Sequence, residues 1–252
     1  MLKGDLWSTH PDLQVVDVSH SVNRFDSAQA AYILADVLRT FPADTIHIVG
    51  VNASRTPASP HRCACILDQW VVASDRPFFG LLQNDLVGVS MELWDLPEVP
   101  SGGAPNFPER EVFVPVARQL LDGKRPRDLG WEPVAPVPGQ RPFPREEGQA
   151  LFGQVIFVDG FDNAVTNIDR ATFDRVRRNR SFHIVMRGSR MDIKRISVRY
   201  DEHPPGERLA LFNQRGLLEI AVAHHNVPGH HGGASSLLGL PVGHAVQIVF
   251  EG

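Results

Sequence analysis

Residues Gln154 to Ile168 read QVIFVDGFDNAVTNI, and the C-terminal half of the chain is read outward from them. Val155, Ile156, Phe157 and Val158 form a short continuous apolar run, the pattern of a strand buried on both faces. Asp159-Gly160 signals a turn, because Gly reaches positive φ without a Cβ penalty and Asp bonds its own backbone. Asp162-Asn163 adds a second polar knot, after which Val165, Thr166 and Asn167 resume strand composition. Residue types alone leave two readings. One is a plain hairpin; the other is a ligand-facing edge, in which Asn163 meets the N6/N7 side of an adenine and a neighbouring Asp holds an ammonium or a ribose hydroxyl.

Downstream, short strands are expected at 182–187, 191–199, 208–213, 217–222 and 245–250, besides 151–158 and 164–168. Their regular spacing and turn signals suggest a small all-β barrel over residues 149–252. The basic run Arg175, Arg177, Arg178 and Arg180 reads as a solvated helix end. Upstream, residues 124–148 hold six prolines and little periodicity, the composition of a linker.

The remaining residues, 1–123, alternate strand and helix patterns. MLKGDLWSTHP looks like the back half of a helix, and Gln14-Val15-Val16-Asp17-Val18 like a buried parallel strand. Residues 27–41 carry apolar positions at helical spacing, with Ser27 as N-cap, and Thr45 to Val51 form the next strand. Strand, helix, strand in this order argues for an α/β domain with a mostly parallel sheet, whose ligands sit beyond the carboxyl ends of the strands. Those ends carry Asp17 to His20 and Asn52 to Ser54. A strand pair follows at 62–66 and 69–75, another strand at 88–95, and a helix through Val112 to Leu121 stopped by Gly123.

Composition limits the function classes. With 42% hydrophobic and 21% charged residues the chain has the makings of a packed core. A net charge of −4 gives no general pull toward nucleic acid or anionic membrane. Cys63 and Cys65 stand too close along one strand to close a disulfide, and no apolar run approaches membrane-spanning length. Together with the lack of a signal-peptide pattern after Met1, this points to the cytoplasm.

The segment D-G-F-D-N-A-V-T-N resembles the D-x-F-G-N-x-x-T-N signature of the S-adenosyl-L-methionine (SAM) hydroxide adenosyltransferases, the family that also contains the SAM-dependent fluorinases and chlorinases. Four further segments are similar to family motifs in the right order: V-V-D-V-S-H at 15–20, F-P-E-R-E-V-F at 107–113, N-Q-R-G-L-L-E-I-A at 213–221 and G-A-S-S-L-L-G-L at 233–240. The resemblance implies attack of water or hydroxide on the 5′ carbon of SAM, giving adenosine and methionine, with SAM as substrate and no cofactor. It implies that Asp159 binds the methionine portion and Asn163 the adenine edge, with Phe161 beside them. The backbone at Arg215 takes the methionine carboxylate, Ala234 lines the base, and Phe25 walls the ribose and sulfonium. It also implies a homotrimer, with each pocket between the first domain of one subunit and the barrel of the next.

Three departures bear on turnover. The family's first strand, ending in T-D-F-G, has no counterpart ahead of Met1. The family's D-P-G-V-G loop reads Asn52-Ala53-Ser54-Arg55, so the water-activating Asp is Asn52. The His of F-H-G-R-D is Pro108, and neither Asn nor Pro takes a proton from water. His61, with Arg62 beside it, aligns best with the family's Arg, so Asn52, His61 and Arg62 are the catalytic candidates. The alternative is a SAM- or adenosine-binding protein of the same fold without catalysis. A third reading, metal binding by His224, His225, His230 and His231, lacks an accompanying Asp, Glu or Cys, so no metal is assigned.

Overall fold

A computed structural model describes residues 1–98, 106–185, 193–223 and 232–251. The chain divides into two compact units, Met1–Gln140 and Arg141–Gly252.

The first unit opens with α1 (Leu2–Trp7) and continues through α2 (Ser27–Val37) to β1 (Ile46–Val49). Asp26, not Ser27, caps α2: its carboxylate accepts from the Gln29 backbone N–H at 2.8 Å. β2 (His61–Ile66) and β3 (Gln69–Ser74) are joined by Leu67-Asp68, both at positive φ (51° and 57°). Two central residues in that conformation match the twist of a two-residue hairpin, so β2 must return antiparallel to β3. After α3 (Phe78–Asp85), β4 (Met91–Asp95) adds to the other edge of β2, also antiparallel. The sheet order is β1-β3-β2-β4, and β1 with β3 is its one parallel pairing among the described residues. The mostly parallel sheet expected from strand–helix–strand order is therefore corrected to a mixed one. Gln14–Val18 is also corrected: it joins no strand ladder among the described residues, and Val16 and Val18 are exposed.

A π-helical turn over Glu109–Phe113 leads into α4 (Val114–Leu121), and Gly123 leaves it at φ 81°. α3 is absent from the sequence expectations because it is short and follows Pro77 without a side-chain cap. It buries Phe78, Phe79 and Leu82 against Leu34, Leu38 and the sheet. Gly80 of α3 has to be glycine: a Cβ there would lie 2.3 Å from the Val137 carbonyl. That contact shows where the proline-rich stretch goes. Val134 N–H donates to the Leu93 carbonyl at 2.8 Å, and Val137 N–H to Asp75 at 2.9 Å. Residues up to 140 thus lie on the first unit rather than spanning free.

The second unit is an antiparallel sheet. β5 (Arg145–Glu147) pairs with β6 (Ala150–Val158), and β7 (Ala164–Asp169) runs back along β6. α5 (Arg170–Arg177) follows, capped by Asp169 and ending at Arg178 in the left-handed region, which matches the expected basic helix end. β8 (Phe182–Val185), β9 (Arg208–Phe212), β10 (Leu217–Val222), the short α6 (Ala234–Leu237) and β11 (Ala245–Phe250) complete it in the order β8-β11-β6-β7-β10-β9. The core gathers Phe173, Phe182, Ile184, Ile220, Ile248 and Phe250. Register shifts within the β6–β7 and β7–β10 pairings curl the sheet, since a bulge bends the strand that carries it.

The expected closed barrel is corrected to a curled half-barrel, because its edge strands β8 and β9 do not pair with each other among the described residues. Of the strand expected over 191–199, residues 191 and 192 lie outside the described residues, and 193–199 form two isolated bridges, Ile193 to Ile184 and Ser197 to Leu211. The histidine loop, His224 to His231, lies outside the described residues.

Candidate functional site

In the second unit the Asp159–Asn163 turn is built by its own carboxylate. Asp159 Oδ1 accepts from the backbone N–H groups of Phe161 (2.9 Å) and Asn163 (2.8 Å). Its Oδ2 accepts from Asn163 Nδ2 at 3.0 Å, so the carboxamide is held in the turn rather than pointing into the core. Asn163 is 7% exposed, whereas Phe161 stands out at 63%. Among the described residues Asn163 Nδ2 and N–H are bonded to Asp159, and no hydrogen bond reaches Asn163 Oδ1.

Asp162 takes φ 64°, a region that glycine occupies freely and a carboxylate residue tolerates. Asp162 is held by more than its conformation. Its Oδ2 accepts from the N–H of Gly233 (2.5 Å) and of Ser236 (3.0 Å), and from the Ser236 hydroxyl. The return bond runs from Ser235 N–H to the Asp162 carbonyl at 2.9 Å. A Cβ on Gly233 would sit 2.6 Å from the Phe161 carbonyl, so only glycine allows this approach. The result puts buried Ala234 directly beside the turn. Burial pushes the Asp162 carboxyl up, but the Ser236 and Gly233 hydrogen bonds outweigh it and hold it below the usual carboxylate range.

A second turn lies at the other end of the β7–β10 pairing, where the Gly216 carbonyl accepts from Arg170 N–H. Asn213 Oδ1 accepts from the N–H groups of Arg215 (3.0 Å) and Leu217 (3.2 Å), shaping the turn that carries Arg215. Asn213 Nδ2 donates to buried Glu219 (3.3 Å), whose other oxygen accepts the Tyr200 hydroxyl at 2.6 Å. Burial raises the Glu219 carboxyl, and the nearby charge of Asp159 adds to this. Burial also raises the Tyr200 phenol. The sequence reading missed Asp162, Glu219, Tyr200 and Ser236. The one signal for Asp162 was an Asp standing at a motif glycine; Tyr200 and Glu219 are 19 residues apart and gave none.

The first unit holds the remaining candidates. Phe25 is 76% exposed at φ 64°, an unusual conformation for an aromatic residue. Asn52 turns the chain beyond β1 at φ 55°. His61 Nε2 donates to the Ala53 carbonyl at 2.7 Å and its ring packs edge-on to Phe113, 5.1 Å between centroids. Its Nδ1 is buried without a hydrogen-bond partner among the described residues. Burial, with the Arg55 charge nearby, lowers the His61 pKa, which keeps the imidazole neutral. Arg62 is committed elsewhere: Nη1 meets Asp75 at 2.5 Å and the Ala135 carbonyl at 2.9 Å, and Nε meets Asp95 at 2.8 Å. Glu109 lies against Gly50, where an added Cβ would meet its side chain at 3.0 Å. Lys3 and His20 flank Asp17 at 2.7 and 3.3 Å, and the Lys3 bond holds that carboxyl low.

Cys63 and Cys65 are free thiols. Among the described residues no group of three His, Cys, Asp or Glu side chains is placed to hold a metal, and no helix is long and apolar enough to cross a membrane.

Comparison with known proteins accounts for the motif order. The chain is 28% identical over 262 residues to an (R)-S-adenosyl-L-methionine hydrolase of Thermus thermophilus, covering 99% of this chain and 93% of the relative. A protein of the same name from Salinispora tropica is 25% identical, over 94% of this chain and 87% of its own length. Among solved structures, an uncharacterized conserved protein from Thermotoga maritima shares the fold with a TM-score of 0.79 at 23% identity, over 98% of this chain and 93% of that one. A conserved hypothetical protein from Thermus thermophilus does so at 0.71 and 26%, over 98% and 92%. Residues 1–130 match the SAM hydroxide adenosyltransferase N-terminal domain and residues 153–247 its C-terminal domain. With the acidic turn, the Asn213 turn and the Gly233 approach all falling inside those spans, the chain belongs to the SAM hydroxide adenosyltransferase family.

Proposed function

We propose that this protein is a SAM hydrolase, in which water or hydroxide attacks the 5′ carbon of S-adenosyl-L-methionine to give adenosine and L-methionine. The observation that carries the reading is the Asp159–Asn163 edge, where a carboxylate and a carboxamide are fixed before any ligand arrives. Fixed groups cost no reorganisation on binding. In this reading Asp159 takes the methionine ammonium, Asn163 Oδ1 accepts from the adenine amino group, and the Arg215 backbone takes the methionine carboxylate. Ala234 and Phe161 flank the base, and Phe25 walls the ribose and sulfonium. The leaving group is a neutral thioether released from a sulfonium, so no general acid is required. The protein's work is to hold a water in line, at about 3–3.5 Å from carbon, and to exclude bulk solvent. We further propose a cytoplasmic homotrimer with the site at the subunit interface.

Two features favour the second reading, a binder without turnover. Asn52 stands where the aligned family motif has its water-activating Asp, and the Arg62 guanidinium is already engaged by two carboxylates and a carbonyl. In that reading His61 serves to fix the Asn52–Ala53 turn. Incubation with SAM, followed by chromatography for adenosine and methionine, separates the two. Equimolar products establish the hydrolase, and calorimetric SAM binding without products establishes the binder. Asn163→Ala is expected to weaken either outcome about 10- to 100-fold, the cost of one buried hydrogen-bonding group. Absence of both binding and products would end the assignment.

A further inference from the structure

The second unit buries one carboxylate to which the proposed reaction gives no role. Glu219 is 4% exposed in the middle of β10, across from Val165 of β7 and Leu211 of β9. Its chain neighbours Leu218 and Ile220 enter the main core, and alternate side chains of a strand leave opposite faces. Glu219 therefore stands on the other face, where Leu209, Leu211, Ala221 and Ala223 form a small apolar cluster. Segment 193–207 is tied to the same two strands. Ser197 N–H donates to the Ala210 carbonyl (2.8 Å) and Gly206 N–H to the Ala223 carbonyl (2.9 Å), while the Ser197 hydroxyl meets His203 Nε2 at 2.8 Å. Between these ties Glu202 accepts from Val198 and Arg199 N–H, which holds the turn that presents Tyr200 to Glu219.

A carboxylate among apolar side chains costs stability, and burial does raise the Glu219 carboxyl. Its two contacts show what it decides. The ends of a carboxamide have nearly the same shape, but one accepts and the other donates. The Asn213 turn needs them one way round, with Oδ1 toward the N–H groups of Arg215 and Leu217. An ionised carboxylate only accepts, so Glu219, 3.3 Å from Asn213 Nδ2, selects that orientation. The reversed amide would set its NH2 against two N–H donors and its oxygen against the carboxylate. Tyr200 donates to the other Glu219 oxygen at 2.6 Å and keeps the carboxylate from turning away.

We propose that Glu219 is a positioning residue for the amino-acid end of the substrate: it selects the orientation of the Asn213 carboxamide, and so the shape of the turn that carries Arg215. For the ligand this rests on the SAM reading above; for the orientation of Asn213 it rests on geometry alone. The adenosine end is spared, because the turn that holds Asn163 is built by the carboxylate of Asp159.

The test uses the full chain and two variants. Glu219→Met keeps the length of the side chain and suits the apolar cluster, but has no carboxylate. Glu219→Gln still accepts from Asn213 Nδ2 through its carbonyl, while its NH2 donates to the Tyr200 oxygen. Calorimetry measures SAM and adenosine binding, and amide hydrogen exchange is read at Arg215 and Leu217 in the ligand-free chain. Glu219→Met is expected to weaken SAM about tenfold and to speed both amides about tenfold, with adenosine binding unchanged. Glu219→Gln should restore the parent values. In an Asn213→Ala background Glu219→Met should weaken SAM no further, because its effect runs through the carboxamide. Equal loss of SAM and adenosine, unchanged exchange, no rescue by Gln, or additive losses in the double variant would each overturn the proposal. If the parent chain neither binds nor cleaves SAM, the hydrolase reading falls, and the exchange comparison still decides whether Glu219 orients Asn213.

Discussion

Asp75 and Asp162 fasten a distant loop to a strand end, one in each unit, under different conditions. Asp75 is fully buried; it accepts from the N–H groups of Phe79 and Val137 and pairs with Arg62. Asp162 is partly exposed and collects only neutral donors, from Gly233 and Ser236. A carboxylate out of water requires a countercharge as well as hydrogen bonds, and the first unit supplies one where the rim of the second does not. The difference separates two uses of one residue type. Asp75 rivets the proline-rich stretch to the sheet, whereas Asp162 clasps the Gly233–Ser236 segment to a partly exposed turn.

The contrast is broken most severely by removing the buried charge. Asp75→Ala is expected to cost about 3–5 kcal/mol, because it takes from the Arg62 guanidinium its fully buried countercharge and leaves it the half-exposed Asp95. Asp75→Asn, which keeps an acceptor for one of the two N–H groups, should cost less. Urea unfolding of each variant, with hydrogen exchange resolving the two units, checks this; a loss shared equally by both units would refute the rivet.

A smaller effect is expected at the rim. Asp162→Ala removes the hydrogen bonds from Gly233 and Ser236 and forces a Cβ residue to stay at φ 64°, for a loss of about 1–3 kcal/mol. Asp162→Gly loses the same bonds but not the conformation. It should be the milder by about 1 kcal/mol, and equal losses would mean that the backbone is not under strain there.

The smallest effect is one of pH, and its sign differs between neighbours. The Asp162 carboxyl is depressed in the folded state, so its stabilisation is present above the unfolded value near about 4 and is lost as acid titrates it. The Glu219 carboxyl is raised by burial, so the sign reverses. Stability is lost as pH climbs from the unfolded value through the raised folded one. Glu219→Gln is therefore expected to gain on the parent chain as pH rises above about 4, and Asp162→Asn to fall behind it as pH rises toward about 4 from the acid side. Parallel stability curves for the two variants would remove the distinction.

Much of the second unit was legible because its signals are local. The apolar run 155–158, the Asp159-Gly160 turn and the resumption at Val165 each need only a few neighbours to specify them, and β6 and β7 fall where they predict. In the first unit the elements were read with similar success, yet their directions were not. Periodicity says that residues 62–66 and 69–75 are strands, but it took positive φ at both Leu67 and Asp68 to make them antiparallel. Gln14–Val18 has the composition of an inner strand, yet among the described residues it pairs with no strand, and Val16 and Val18 are exposed.

Short windows of residues were enough for the element types, the family and the acidic turn at its centre, since propensity, turn chemistry and motif spacing are all local. Long-range packing was needed to make the first sheet mixed, to consume Arg62 on Asp75 and Asp95, and to clasp Gly233 to Asp162 from 71 residues away. Those outcomes depend on which backbone edges and charges remain unmet once distant segments have packed, and no local window contains that information.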